Sequence, residues 1–380
     1  MTAESQVASQ VKPKKLKPGD TIGILGGGQL GRMLAMAAAR LGLKCQVFSP
    51  DPDSPAFDVV LNATCAEYAD VEALELFAND VDIITYEFEN VPAATAMVLA
   101  ARRPVLPARK ILETTQDRLI EKDFVKKLGI GTAEYADVSS IDTLRAAIAR
   151  IKLPAVLKTR RFGYDGKGQA MIREGDDIER IWQDLGTKSA ILEAFVPFER
   201  EISVIAARSA DGHIECFDVT ENEHRDHILK FSHAPANVSE AVASEALGIA
   251  GKIASALDYV GVLAVEMFVV QERNGPRVLV NEIAPRVHNS GHWTLDGASI
   301  SQFEQHIRAI AGWPLGRPVR HSAVTMTNLI GDDINDYEQW LTVPGATVHL
   351  YGKGPARPGR KMGHVTEVGG SAPKARDRAK

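Results

Sequence analysis

Cysteine is scarce in this chain. The three residues, Cys45, Cys65 and Cys216, have no metal-like spacing, which argues against a disulfide framework or a zinc site and favours a reducing cytoplasm. Long apolar runs are missing too, and none approaches the ~18–20 residues that cross a bilayer. Residues 1–20 hold Lys12, Lys14, Lys15 and Lys17 but no apolar core of the secretory kind, and read as a short disordered leader. Excess positive charge is also absent. A net charge of −5 gives no reason to expect nucleic acid, so an anionic substrate must be held by local basic groups. What remains is an ordinary globular composition, 45% hydrophobic and 24% charged. At 380 residues it requires two or three domains.

The apolar periodicity sets out an α/β protein. Residues 21–115 alternate: strand 21–25, helix 29–41, strand 44–48, a strand-like run at 59–61, helix 71–79, strand 81–85 and helix 93–101. Such alternation predicts a Rossmann-like parallel sheet with right-handed crossovers. A second domain, 116–312, opens with a helix over 116–128 closed by Gly129, then a helix over 141–151 and a strand over 155–158. A glycine-rich loop, a strand at 169–172, a helix at 176–185 and a strand at 190–196 complete its first half, 116–198. The second half, 199–312, turns antiparallel, with strands 201–208 and 214–219 joined through Asp211-Gly212 and a long helix over 239–257. Residues 313–370 read as a small β domain, with alternation at 346–351 and 364–368, and 371–380 as a frayed polar tail.

The densest chemical signal lies between residues 263 and 283. Two apolar runs flank Arg273-Asn274-Gly275-Pro276 and predict a β-hairpin. Centred near Asn274, it places Glu266 opposite Glu282 and Phe268 opposite Val280. Like charges directly opposed repel, so the pair implies a cation between them, and oxygen-only ligands suit Mg²⁺ shared with a phosphate-bearing substrate. A register slipped by one residue would instead send one acid to solvent.

Three further segments carry chemistry. Gly26-Gly27-Gly28-Gln29-Leu30-Gly31 matches G-x-G-x-x-G between a strand and a helix, which predicts anion binding at the turn. The acidic residue a dinucleotide site needs is only loosely supplied by Asp51. Lys158 ends a strand before Gly163-Tyr164-Asp165-Gly166-Lys167-Gly168-Gln169, and Arg160, Arg161 and Lys167 make that loop cationic. It reads either as a flap over a polyphosphate or as a hairpin loop with solvated basic residues. Glu193-Ala194-Phe195-Val196 ends another strand where backbone and ring can meet a nucleobase edge, or can simply pack. Behind Glu282, the run Arg286-Val287-His288-Asn289-Ser290-Gly291-His292 groups many hydrogen-bonding side chains. On the tail, Lys353 and Arg357-Pro358-Gly359-Arg360-Lys361 form a basic cluster that either clamps a phosphate or is an exposed basic face.

Together these segments, with Thr85-Tyr86-Glu87-Phe88-Glu89-Asn90 and Asn281-Glu282-Ile283-Ala284-Pro285, resemble the ATP-grasp superfamily and, within it, the N5-carboxyaminoimidazole ribonucleotide synthetases of purine biosynthesis. The resemblance runs from about residue 21 to 370. It implies ATP held between two sheets by Arg109, Lys158, the loop Gly163 to Gln169, Glu193, Ala194, Phe195, Val196, Glu201, His224, Asn281 and Glu282. Magnesium falls to Glu266 and Glu282, and aminoimidazole ribonucleotide to Gln29, Leu30, Glu87, Tyr164, Asp165, Ser290, Lys353 and Arg360. Arg286, His288 and Asn289 would hold bicarbonate and, with Lys158, carry the catalysis. The expected enzyme works in the cytoplasm, as a homodimer, with ATP and Mg²⁺ and with neither nucleic acid nor membrane as partner. The rivals are a formate-activating glycinamide ribonucleotide transformylase of the same superfamily, an NAD(P)-dependent oxidoreductase resting on the first glycine turn, and a non-catalytic nucleotide-binding protein.

Overall fold

The structure is a computed structural model that describes residues 13–163 and 166–369. Tyr164, Asp165 and the expected tail at 371–380 lie outside the described residues, as do residues 1–12 of the expected leader. From residue 13 the leader expectation fails. Leu16 is buried, its N–H donates to the Ala311 carbonyl and its carbonyl accepts from the Trp313 indole, so one apolar side chain anchors the segment.

The first unit comprises β1 (Thr21–Leu25), α1 (Gln29–Arg40), β2 (Lys44–Ser49), β3 (Asn62–Cys65), α2 (Val71–Asn79), β4 (Ile83–Tyr86) and α3 (Ala93–Ala100). Its four parallel strands run in the order β3-β2-β1-β4. The strand expected at 59–61 is a 3-10 turn over Phe57–Val59, and β3 starts only at Asn62. Then come α4 (Arg109–Thr115), α5 (Arg118–Lys127), β5 (Tyr135–Val138), α6 (Ile141–Ile151), β6 (Ala155–Thr159), β7 (Gln169–Ile172), α7 (Ile178–Leu185) and β8 (Ala190–Ala194). These strands form a small antiparallel sheet, β5-β8-β6-β7.

A larger sheet follows from β9 (Arg200–Arg208), β10 (Ile214–Cys216), β11 (Thr220–Arg225), β12 (Ile228–Ala234), α8 (Glu240–Ala256), β13 (Gly261–Glu272) and β14 (Gly275–Ala284). It continues past α9 (Thr294–Gly297) and α10 (Gln302–Ile310) into β15 (Val324–Ile330), α11 (Tyr337–Leu341), β16 (Ala346–Leu350) and β17 (Lys361–Val368). The order is β14-β13-β9-β11-β12-β15-β17-β16, with β10 on β9. The C-terminal β strands therefore extend the central sheet rather than closing one of their own.

Two cores fix the geometry. Val265, Met267, Val269, Val278, Val280 and Ile283 turn one face of the large sheet onto α8, and Glu266 points to the opposite face. A second core joins Leu34 and Ala38 of α1 to Phe303, Ile307 and Ile310 of α10, seating the first unit against the large sheet. Each such Leu, Ile, Val, Met or Phe side chain contributes ~1.5–3 kcal/mol on burial, so the relative placement of the glycine turn and the large sheet is strongly determined. Among the described residues no helix is long and apolar enough to cross a membrane.

Candidate active site between the two sheets

The hairpin forms, but not with the expected centre. Glu272 pairs with Gly275, so the register runs Phe268 to Leu279 and Met267 to Val280, correcting the Phe268–Val280 pairing. Between Met267 and Glu266 the register shifts, Asn281 is the extra residue, and Glu266 stands opposite Glu282 after all. The apolar spacing dictates this bulge. Val278 and Val280 alternate, then Ile283 must reach the same core one residue late, and a β-bulge is how a strand absorbs an added residue.

Each acid has a basic partner. Arg118 Nη1 lies 2.9 Å from Glu282 Oε2, and His288 Nε2 lies 3.0 Å from Glu266 Oε1. Burial pushes the Glu282 carboxyl up, but Arg118, Lys158 and His288 outweigh it and hold the group below the usual carboxylate range. The Ser290 N–H donates to His288 Nδ1 at 3.3 Å, so the neutral ring carries its proton on Nε2, toward Glu266.

Facing these acids, the small sheet supplies Lys158 from β6 and Glu193 from β8, with Nζ and Oε2 3.0 Å apart. Lys122 of α5 shares the same oxygen at 3.4 Å. Burial alone would raise Glu193; Lys122, Lys158 and Arg118 instead hold it at about 2. Burial, with Arg118 and Lys122 nearby, lowers the Lys158 ammonium. The second oxygen of Glu193, Oε1, is buried without a hydrogen-bond partner among the described residues.

The glycine loop is less cationic than its sequence. Arg160 binds Asp117 through Nε and Nη2 and reaches Asp137, while Arg161 donates to Gln116, so both brace the loop's base. Lys167 is exposed, Gln169 pairs with Lys158 in the β6–β7 ladder, and the Gly163 carbonyl accepts from Arg118 at 3.3 Å. Gly166 (φ +77°) lies against His227, where an added Cβ would come within 2.6 Å of the His227 Cβ. The loop thus touches the turn between β11 and β12 across the cleft.

Among the described residues Arg109 has no hydrogen bond or ion pair with this cluster. It starts α4 and pairs with Glu113 at 3.5 Å. Arg118, at the start of α5, lies on the Glu282 carboxylate instead. The missed signal is in α5: Arg118 and Lys122 stand four apart, as do Asp117 and Glu121, which puts two pairs of opposite charge on adjoining rows of one helix end.

On the large sheet, Glu201 Oε2 and His224 Nδ1 meet at 2.5 Å. Burial disfavours the imidazolium, but Glu201 outweighs it and raises the His224 pKa. At the neighbouring strand end, Ala194 N–H donates to Glu134, Phe195 N–H donates to Pro154 and the Val196 carbonyl accepts from Phe198. Phe195 is exposed.

The third cluster lies at the first glycine turn, whose anion is the protein's own. Glu87 of the β4 end accepts from Gly28 N–H at 2.5 Å and Gly31 N–H at 2.6 Å, filling the α1 N-terminus next to Gln29 and the buried Leu30. A Cβ at Gly28 would lie 2.6 Å from Glu87 Oε1, which is why glycine stands there. Burial raises the Glu87 pKa, against the pull of those N–H groups and of Lys353 and Arg286. Lys353 donates to the Lys361 carbonyl at 2.8 Å, and Arg360 donates to Pro355 at 3.2 Å.

Arg286 is bound through two nitrogens by Glu89, a residue missed although its Thr85–Asn90 neighbourhood stood out. Asn289 and Ser290 turn inward. The Asn289 amide exchanges two hydrogen bonds with Asn328, and Ser290, expected at the substrate, is fully buried and accepts from Ser203 at 2.8 Å. Asn222 donates to the same Ser203 hydroxyl, so a buried polar chain backs His288.

Comparison with known proteins agrees with this architecture. Residues 20–116 match a ribonucleotide synthetase preATP-grasp domain, 123–303 an ATP-grasp domain, and 324–378 a phosphoribosylaminoimidazole carboxylase C-terminal domain. The N5-carboxyaminoimidazole ribonucleotide synthase of Brucella melitensis is 50% identical over 93% of this chain and 97% of its own. That of Pseudomonas aeruginosa is 45% identical over 91% and 93%. A crystal structure of an N5-carboxyaminoimidazole ribonucleotide synthetase with ADP superposes with a TM-score of 0.91 at 40% identity, covering 98% of this chain and 97% of that one. The Aspergillus clavatus enzyme with ADP and 5-aminoimidazole ribonucleotide gives 0.85 at 32%, covering 92% and 94%. With likeness at these levels along nearly its whole length, the chain belongs to the N5-carboxyaminoimidazole ribonucleotide synthase family of ATP-grasp proteins.

Proposed function

We propose that this protein is an ATP-dependent carbon–nitrogen ligase. It carboxylates 5-aminoimidazole ribonucleotide with bicarbonate to N5-carboxyaminoimidazole ribonucleotide, releasing ADP and phosphate, in purine biosynthesis. The observation that carries the reading is the Glu266–Glu282 pair on one face of the large sheet, with Lys158 and Glu193 facing it and Glu87 and Arg286 on its flank.

The donor set fits a hard divalent cation. Two opposed carboxylates supply oxygen ligands only, and Glu266 and Glu282 would hold Mg²⁺, which neutralises charge on the transferred phosphate when bound. Lys158 and Arg118 meet the polyphosphate. The orphaned Glu193 Oε1 suits the exocyclic amine of adenine, since a buried acceptor without a donor is costly, and Glu201 takes the ribose hydroxyls. Gln29, Leu30, Glu87, Lys353 and Arg360 take the aminoimidazole ribonucleotide, and Arg286 with His288 takes bicarbonate. Arg286 must trade Glu89 for the anion as it does so.

Bicarbonate oxygen attacks the γ-phosphorus of ATP, giving carboxyphosphate and ADP. The exocyclic amine of the ribonucleotide then captures the carboxyl, or CO₂ released from it, as a carbamate. Such transfer needs alignment and charge neutralisation rather than a nucleophilic side chain. The flap at Gly166 keeps water from carboxyphosphate by closing on His227. Three free thiols accord with a cytoplasmic setting, and exposed Val71, Leu76 and Met97 on α2 and α3 with a homodimer.

The dinucleotide reading fails on geometry, because Glu87 occupies the N–H groups a pyrophosphate would need. The test is ADP release with 5-aminoimidazole ribonucleotide and Mg²⁺ in degassed buffer, with and without bicarbonate. Bicarbonate-dependent turnover to an acid-labile carbamate is expected; turnover only with formate and glycinamide ribonucleotide would replace the function with the transformylase.

A further inference from the structure

We propose that Glu121 and Lys122, consecutive residues of α5, are positioning residues that clamp the bulge carrying Glu282. The proposal rests on the reading of Glu282 as a magnesium ligand.

β14 is an edge strand of the large sheet, and its outer side faces α5 and the connector that follows. An edge leaves backbone donors and acceptors unpaired, and here the segment alongside answers them one by one. Val280 N–H donates to the Gly131 carbonyl at 2.8 Å, and its carbonyl accepts from Thr132 Oγ1 at 2.9 Å. At the bulge the connector gives way to the helix. Lys122 Nζ donates to the Asn281 carbonyl at 3.2 Å, and Ile283 N–H donates to Glu121 Oε2 at 3.2 Å. Glu282 is therefore gripped through the residues before and after it, while Arg118, one turn back on the same helix, holds its carboxylate.

Neither residue is placed for contact with substrate. Glu121 is 4% exposed and Lys122 2%, beneath the bulge rather than at its rim. Lys122 also binds Thr132 Oγ1 at 3.1 Å and Glu193 Oε2 at 3.4 Å, so one ammonium ties the small sheet to the edge of the large one. A bulge strengthens local twist and weakens the ladder, leaving the orientation of Glu282 dependent on such outside contacts. Partners of ligand-bearing residues tune metal affinity by about 10- to 100-fold when removed.

The test reads magnesium binding apart from turnover. Full-length wild type, Lys122→Met, Glu121→Leu and Glu121→Gln are titrated with Mg²⁺ at saturating ADP, following the thermal midpoint. Lys122→Met and Glu121→Leu should need about 10- to 100-fold more Mg²⁺ for the half-maximal shift. Glu121→Gln keeps an acceptor oxygen for Ile283 N–H and should stay near wild type. The KM for 5-aminoimidazole ribonucleotide should hold for all three, which a merely loosened fold would not allow. Where Glu121→Leu does not fold, Lys122→Met decides. Wild-type magnesium dependence in Lys122→Met and Glu121→Leu overturns the clamp, as does equal weakening toward Mg²⁺, ADP and ribonucleotide. A wild type indifferent to Mg²⁺ overturns the ligand assignment and the clamp with it.

Discussion

Glu266 and Glu282 face one another across β13 and β14 because Asn281 is one residue too many for its strand. Each acid already has a nitrogen partner, the His288 ring for Glu266 and the Arg118 guanidinium for Glu282. Replacing Glu282 removes one of the two carboxylates where phosphate chemistry is proposed. Glu282→Gln should lower ATP turnover by at least about 100-fold, the order seen when one electrostatic transition-state contact is lost. Bicarbonate-dependent ADP release measures it, and wild-type turnover would remove Glu282 from the site.

The acid pairing was legible in the sequence, though for an incomplete reason. A hairpin centred on Asn274 opposes the two acids and also Phe268 with Val280; the real turn is centred between Arg273 and Asn274, and the bulge restores only the acids. The spacing of Val278, Val280 and Ile283 held the clue, because two-residue alternation cannot put all three in one core. In α5 the spacing of the charges was legible, but the places they reach were not. Lys122 finds its partners at Asn281 and Glu193, and no local pattern announces contacts between such distant segments. Strand β11 (Thr220–Arg225) contains no apolar residue, since it mixes site-facing and solvent-facing positions, so periodicity passed over it.

Arg118 and Arg109 separate the geometry from the resemblance. Arg118 touches Glu282 and the Gly163 carbonyl, whereas Arg109 touches Glu113 on its own helix. Arg118→Met should raise the KM for ATP or lower kcat by about tenfold or more, a loss of ~1.4 kcal/mol or greater. Arg109→Met should cost much less. Steady-state kinetics on both variants decides, and the reverse order would favour the sequence-based assignment of Arg109.

The first glycine turn offers a test at the other end of the site. In Gly28→Ala the new Cβ meets Glu87 Oε1 at 2.6 Å, so the carboxylate must leave the α1 N-terminus. We expect the KM for 5-aminoimidazole ribonucleotide to rise by about tenfold or more, in line with the cost of losing a charge-assisted hydrogen bond. ADP affinity should hold. Equal loss of both would show general disruption.

Acid stability should depend on His306. This buried imidazole accepts from Val262 N–H at 3.1 Å through Nδ1, leaving Nε2–H to meet Thr85 Oγ1 at 2.8 Å. Burial lowers its pKa to about 3 from 6.5. The unfolded chain therefore binds a proton before the folded one does. The stability this contributes is complete above the unfolded value near 6.5 and is lost as pH falls from there toward about 3. The single-proton slope is ~1.4 kcal/mol per pH unit. His306→Gln should be less stable at neutral pH yet lose less between pH 6 and 4, as denaturant midpoints would show. Parallel wild-type and variant curves would assign the acid loss to other groups.

Gly166 links the flap to the fate of carboxyphosphate. Its φ of +77° suits glycine, and a Cβ there would crowd the His227 Cβ at 2.6 Å. His227 itself has a positive φ of 64° in the β11–β12 turn, so its backbone has little room to yield. Gly166→Ala should therefore hold the flap off the large sheet without touching the acids, Lys158 or Arg286. Phosphoryl transfer would continue, slowed, while water reached carboxyphosphate ahead of the amine. The expected outcome is uncoupling, with ADP formed in excess of N5-carboxyaminoimidazole ribonucleotide, against near-equal amounts in wild type. Comparing ADP release with trapped carbamate in the same reaction gives the ratio. A variant that slows while staying fully coupled would show that water is excluded elsewhere, and that the flap serves binding alone.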